Sequence, residues 1–210
     1  MTSAGRTTVL LVSLSVIGVA PAWGERSVDY RVFKSADGVL IVSERPGHFF
    51  SMNIPGERIH LIGPNEIYVL GNPQAAHHPY FMVRERCVQL MPVPIAEFKG
   101  NPRSEDDVIL RQQAQYELTA QHPIASNIEK IVLPNGRVAL FYSCRVRETG
   151  PGSENQLFVT FRENNYVVVL TSNVPKGDTD GKVKSFLVRV ASSFGASKTR
   201  IRPRAQPYTG

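Results

Sequence analysis

Two cysteines, five histidines and a C-terminal run of basic residues are the side chains best suited to chemistry in this chain. Cys87 and Cys144 both fall in segments that read as strands. In an oxidising compartment two such residues can form a bridge. The competing reading is two small buried residues in strands that never meet, because a bridge needs Cα atoms within roughly 7 Å. A nucleophilic cysteine is disfavoured, since no histidine stands in a recognisable partner context. The histidines are His48, His60, His77, His78 and His122. Only His77 and His78 adjoin, in a polar loop before Pro79, and no Cys, Asp or Glu stands at zinc-like spacing. They read as solvated loop residues. Glu105-Asp106-Asp107 could hold a hard cation, but a helix start at that point already explains the charges. The chain has no nucleophile elbow, P-loop, paired zinc histidines or dinucleotide fingerprint. No metal and no cofactor is therefore expected. Glu44, Glu57, Glu66 and Glu85 are scattered, which leaves a two-carboxylate hydrolase open.

Positive charge concentrates near the C-terminus, in a chain whose formal net charge is +6. After Asp180 there is no acidic residue. Lys182, Lys184 and Arg189 are followed by Lys198, Arg200, Arg202 and Arg204, interleaved with Pro203 and Pro207. Arginines at a spacing of two line one side of an extended segment. Such a strip suits an acidic protein, an anionic lipid surface or a cell-wall polymer. The same composition describes a solvated tail, and residues 196–210 are expected to be a basic, disordered tail.

The N-terminus reads as an export signal. Arg6 gives a positive start, Val9 to Val19 is an apolar run, and Ala20-Pro21-Ala22 offers a cleavage site. The run is short for a bilayer span, and no cysteine stands where a lipid anchor would be attached. Residues 1–22 are expected to be the signal peptide and 23–195 one α+β domain. The mature protein is expected in the periplasm or secreted, and not integral to a membrane. Nucleic acid is not an expected partner for an exported chain with few aromatics among its basic residues.

The elements that must position these residues are mostly strands. The clearest stretch runs from Ile128 to Phe194. Ile128–Leu133 and Val138–Val146 flank Pro134-Asn135-Gly136-Arg137, and Asn-Gly predicts a type I′ turn. That register sets Ile131 and Leu133 opposite Leu140 and Val138, with Tyr142 and Cys144 on the same face. A second hairpin, Leu157–Arg162 and Tyr166–Thr171, turns at Asn164-Asn165. There Leu157, Val159 and Phe161 share a face with Val168 and Leu170, and the run from Val167 is apolar on both sides, as in a central strand. Asp178-Thr179-Asp180 then caps a helix with Val183, Phe186, Leu187, Val190, Ala191 and Phe194 on one stripe, closed by Gly195.

Earlier, Val28–Phe33 and Val39–Val42 form a hairpin at Asp37-Gly38, and Phe49–Ile54 is a strand stopped by Pro55-Gly56. Arg58–Ile62 and Ile67–Leu70 flank a turn cluster, and Tyr80–Leu90 reads as one long strand whose Arg84, Glu85 and Arg86 suggest a solvated face or a position near a sheet edge. A proline-rich connection from Pro92 to Pro102 leads to a helix from Glu105 to about Gln121, whose apolar members are Ile109, Ala114, Tyr116, Leu118 and Ala120. The sum is an α+β fold, a mostly antiparallel sheet with two helices packed on it.

Three features carry a family resemblance: Phe50-Ser51-Met52-Asn53-Ile54-Pro55, the acid-capped helix in mid-chain, and the close Arg189-Val190-Ala191-Ser192-Ser193-Phe194. Over residues 48 to 195 the order of elements resembles the PsbP family, an extrinsic photosystem subunit with bacterial periplasmic relatives. The aromatic that the family carries shortly after the proline is missing from Pro55-Gly56-Glu57-Arg58. The resemblance implies a PsbP-like α/β sandwich and a tendency toward protein binding and assembly support rather than catalysis. The function expected is an exported non-enzymatic protein that binds another protein or an envelope component. The alternatives are a carrier of a small ligand or lipid in an apolar pocket, and an envelope hydrolase without a recognisable motif.

Overall fold

The computed structural model of the protein describes residues 30–44, 48–56, 59–62, 80–83, 86–95, 106–120, 127–145 and 155–207. Its strands are β1 (Tyr30–Ser35), β2 (Gly38–Ser43), β3 (Phe49–Pro55), β4 (Ile59–Ile62), β5 (Tyr80–Val83) and β6 (Arg86–Pro94), then β7 (Ile128–Val132), β8 (Val138–Arg145), β9 (Asn155–Glu163), β10 (Tyr166–Asn173) and β11 (Gly195–Ser197). Helix α1 (Asp106–Ala120) precedes β7, and α2 (Asp180–Ser193) precedes β11. The strands form two sheets, one of four in the order β1-β2-β3-β11 and one of seven in the order β4-β5-β6-β10-β9-β8-β7. Every described pairing is antiparallel. The fold is α+β.

Strand β10 lies at the centre of the larger sheet, and each residue from Val167 to Leu170 is fully buried. Its two faces serve two cores. Val168 and Leu170 join Leu157, Val159 and Phe161, the α2 stripe, and Val39, Ile41, Met52 and Ile54 of the smaller sheet. Val167 and Val169 join Leu140, Tyr142 and Phe158 under α1. The larger sheet is thus covered by α2 and the smaller sheet on one face and by α1 on the other. Helix α2 starts at its expected cap: the Thr179 hydroxyl accepts a hydrogen bond from the Lys182 amide. Its closing residue is Phe194 rather than Gly195, because Gly195 already pairs with Ser51 as the first residue of β11.

Several expectations are corrected. Tyr80 to Leu90 is not one strand but two paired ones, with Phe81 opposite Val88 and Val83 opposite Arg86, and Arg84 and Glu85 lie outside the described residues. Strand β6 then runs on to Pro94. Beyond Gln89 it is bonded only to β10 among the described strands, and a one-sided position tolerates proline. The Asn135-Gly136 hairpin turns differently too. Leu133 and Arg137 close the loop, the Gly136 amide donates to the Leu133 carbonyl, and only Gly136 has positive φ, at +82°. This is a type I turn followed by a left-handed glycine, a hairpin one residue longer than the two-residue loop. The register shifts accordingly: Ile131 pairs with Ala139 and Lys130 with Leu140. Ile131 and Leu133 therefore pack on the α2 side, away from Tyr142 and Cys144 on the α1 side. The Ile67–Leu70 segment lies outside the described residues.

Candidate functional site

The basic tail is not disordered over its described length. It begins as β11, paired with β3 at one edge of the smaller sheet. It ends at the opposite edge, where Pro207 bridges Phe33 of β1 and the Lys34 amide donates to the Gln206 carbonyl at 2.8 Å. Residues 198–206 therefore cross the sheet as a strap. The crossing is on the outer face, because Val39, Ile41, Met52 and Ile54 fill the inner one. Phe33 and Val42 point outward by register, and both are buried. Ile201, Pro203 and Ala205 are half-buried, whereas Lys198, Arg200, Arg202 and Arg204 are exposed. The alternation is that of an extended segment with one face on the sheet and one basic face outward.

Arg200 is drawn into the fold. Its guanidinium donates to Glu44 Oε1 at 2.8 Å, which also accepts from Arg31 at 3.1 Å. The Arg200 hydrogen bond lowers the Glu44 carboxyl from its ordinary value, burial opposes it, and Arg31 adds to the lowering. Lys198, Arg202 and Arg204 have no ion-pair partner among the described residues. Sequence reasoning found these basic residues but missed what fixes them. The Lys198-to-Arg204 pattern alone describes an ordered edge and a solvated tail equally well.

The two cysteines do not bridge. Cys87, Asn173, Gln156 and Cys144 occupy one row across β6, β10, β9 and β8. The cysteines share a face but stand three strand spacings apart, about 14 Å, twice the reach of a disulfide. Cys144 is buried, and burial, with the nearby Glu117 charge, pushes its thiol up to about 11.

Under α1 lies a polar patch that the sequence did not announce. The buried face of α1 is Ile109, Leu110, Gln113, Ala114, Glu117 and Leu118, while Tyr116, expected on that face, is exposed. Gln113 Nε2 donates to Glu117 Oε1 at 2.5 Å. Burial lifts the Glu117 carboxyl from 4.5 to about 7, offset only by the Gln113 amide. On the sheet below, the Tyr142 hydroxyl and Thr160 Oγ1 share a hydrogen bond at 2.9 Å, and burial raises the phenol strongly, with a further push from Glu117. A helical spacing that admitted polar members would have found Gln113 and Glu117, since 109, 110, 113, 114, 117 and 118 follow the 3.6 period.

The remaining candidates are dispersed. His48 lies against Tyr166, with Nδ1 at 3.3 Å from the hydroxyl, and His60 is exposed on β4. His77, His78, His122, Glu57, Glu66, Glu85, Glu105 and the signal segment 1–22 lie outside the described residues, as do the side chains of Asp106 and Asp107. Among the described residues no three of His, Cys, Asp and Glu are placed to hold a metal ion, and no helix is long and apolar enough to cross a membrane.

No family model matches the chain, and no curated protein matches it. Among solved structures it is similar to a crystal structure from Bacteroides thetaiotaomicron, at 18% identity and a TM-score of 0.48, over 77% of this chain and 49% of that one. The chain thus spans about half the length of that structure. It is also similar to the solution structure of cyanobacterial PsbP (CyanoP) from Synechocystis sp. PCC 6803, at 12% identity and a TM-score of 0.34, over 87% of this chain and 100% of that one. PsbP is thus found again among the structural neighbours, and the likeness assigns neither activity nor partner.

Proposed function

We propose that this chain is an exported, non-enzymatic binding protein, and that the strap docks on an acidic surface of another protein. The observation that carries the reading is the outward row of Lys198, Arg202 and Arg204 on a segment held at both edges of a sheet. A fixed row loses less conformational entropy on binding than a free tail would. Its alternate residues recur at about 7 Å, the spacing of like-facing carboxylates on an extended acidic segment. A membrane surface is the weaker fit. Interfacial binding calls for apolar side chains beside the charges, and among the described residues the exposed large apolar ones, Val108, Tyr116, Val132 and Val138, lie on α1 and the β7–β8 hairpin.

A hydrolase is disfavoured by the chemistry at Glu117. The groups it acts on are Tyr142 and Cys144, not a second carboxylate, and a thiol near 11 is scarcely ionised at neutral pH. Export rests on residues 1–22, and intact mass of the processed protein should show cleavage after Ala22. Cross-linked capture from an envelope extract tests docking. Residues 23–210 should retain an acidic protein that the Lys198→Glu/Arg202→Glu/Arg204→Glu variant does not. Equal capture by both would remove the strap from the account.

A further inference from the structure

Helix α1 covers one face of the larger sheet, and a carboxyl with too few partners lies within that contact. The packing of α1 is one-sided. It rests on β8, β9 and β10, strands of a single sheet, whereas α2 is wedged between β3 of the smaller sheet and β9 and β10 of the larger. Ile109, Leu110, Ala114 and Leu118 of α1 join Leu140, Phe158, Val167 and Val169 of the sheet in one apolar core. Glu117 projects from the same buried face of the helix and is only 2% exposed. Gln113 Nε2 donates to its Oε1, and its Oε2 is buried with no hydrogen-bond partner among the described residues.

The surrounding groups make a charge at this position costly. Tyr142 and Cys144 of β8 face α1, and Cys87 of β6 shares that face; the ionised form of each is negative. Thr160 of β9 is already bonded to the Tyr142 hydroxyl, and β10 turns Val167, Val169 and Thr171 this way. Three described basic residues belong to this side of the molecule. Arg162 stands about 13 Å along β9 from Phe158, the partner of Tyr142. Lys130 is exposed on β7, and Arg111 is on the exposed side of α1. Among the described groups only the Gln113 amide favours the charged carboxyl. A protonated Glu117 tolerates this setting, whereas a carboxylate there lacks the partners that water would supply. Lifting α1 restores that water and gives up the apolar contacts of one helix face, so the opening is local rather than global. We propose that α1 is a pH-released cover, docked on β8 to β10 while Glu117 holds its proton and lifted from them when the proton is lost. The lifted state bares Leu140, Phe158, Val167 and Val169. The device does not involve the strap.

The docked carboxyl titrates near 7 and the free one near 4.5, so docking is strongest below pH 4.5 and weakens from there to about pH 7. The test is hydrogen exchange of residues 23–210 at pH 5 and pH 8, each amide rate corrected for its intrinsic dependence on pH. Opening of α1 should rise roughly 70-fold between the two. Amides from Ile109 to Leu118 should lose that much protection, while those from Val183 to Val190 of α2 keep theirs. Glu117→Gln should make the protection of α1 independent of pH. Gln113→Leu keeps the carboxyl and removes the amide that offsets its burial, so it should enlarge the loss, and it decides the matter if Glu117→Gln does not fold. Three results overturn the proposal: α1 equally protected at both pH values; α1 and α2 losing protection by the same factor, which would place the effect in the whole fold; or variants with the pH dependence of the wild type.

Discussion

Glu117 is a carboxyl buried against the preference of its type. A carboxyl near 4.5 in the unfolded chain and near 7 in the fold stays protonated longer in the folded state. Below pH 4.5 it is neutral in both states and costs nothing. Between pH 4.5 and about 7 the unfolded chain gives up this proton while the fold retains it, so the fold loses about 3 kcal/mol across that window and no more above it. Urea denaturation at pH 5 and pH 8 should show that loss in the wild type and not in Glu117→Gln, which should be the more stable protein at pH 8. The cysteines give a second prediction at this scale. Intact mass should be the same with and without reductant, and a thiol reagent should modify half-buried Cys87 well before Cys144. Neither residue's situation was legible in the sequence. The Cys87–Cys144 separation depends on a strand order in which β10 and β9 intervene. Glu117 was hidden because a search for apolar spacing took up Tyr116 and passed over the polar residues beside it.

At the scale of elements, what the sequence reveals depends on how local the cause is. The α2 stripe, its Thr179 cap and the β9–β10 hairpin follow from neighbouring residues and were legible. The β7–β8 register was not, because Pro134 leads into a type I turn and one extra loop residue moves every side chain to the other face. The division of Tyr80–Pro94 into two strands was obscured by charges that suit a turn and a solvated face equally. Gly38 is a local device with a sharp requirement. Its φ is +153°, and a Cβ there would sit 2.1 Å from the Ile54 carbonyl oxygen. Gly38→Ala should cost more than about 1 kcal/mol, toward 3, by thermal or urea denaturation. The strap contributes chiefly through burial, not through its charges. A chain ending at Ser197 should lose about 2–5 kcal/mol by uncovering Phe33 and Val42. Arg200→Ala should leave the melting temperature almost unchanged, because its ion pair with Glu44 is solvent-exposed.

For the whole molecule, the central fact is the division of labour between the two faces of the larger sheet. One face buries an apolar core that joins α2 to the smaller sheet and, through β11, anchors the strap. The other carries α1 over a core with a polar interior. The α+β class could be read from hairpin and helix signals alone. The tail's path could not, because its anchors on β1 and β3 lie about 145 to 175 residues away in sequence. The direct measurement of its role is the affinity of the captured partner for two variants of equal net charge. One is Lys198→Glu/Arg202→Glu/Arg204→Glu. The other is Lys130→Glu/Arg145→Glu/Lys176→Glu, all exposed positions off the strap. The account predicts that the strap variant loses binding and its salt dependence while the other keeps both. Equal losses in the two would mean that net charge, not the strap, governs association, and would contradict it.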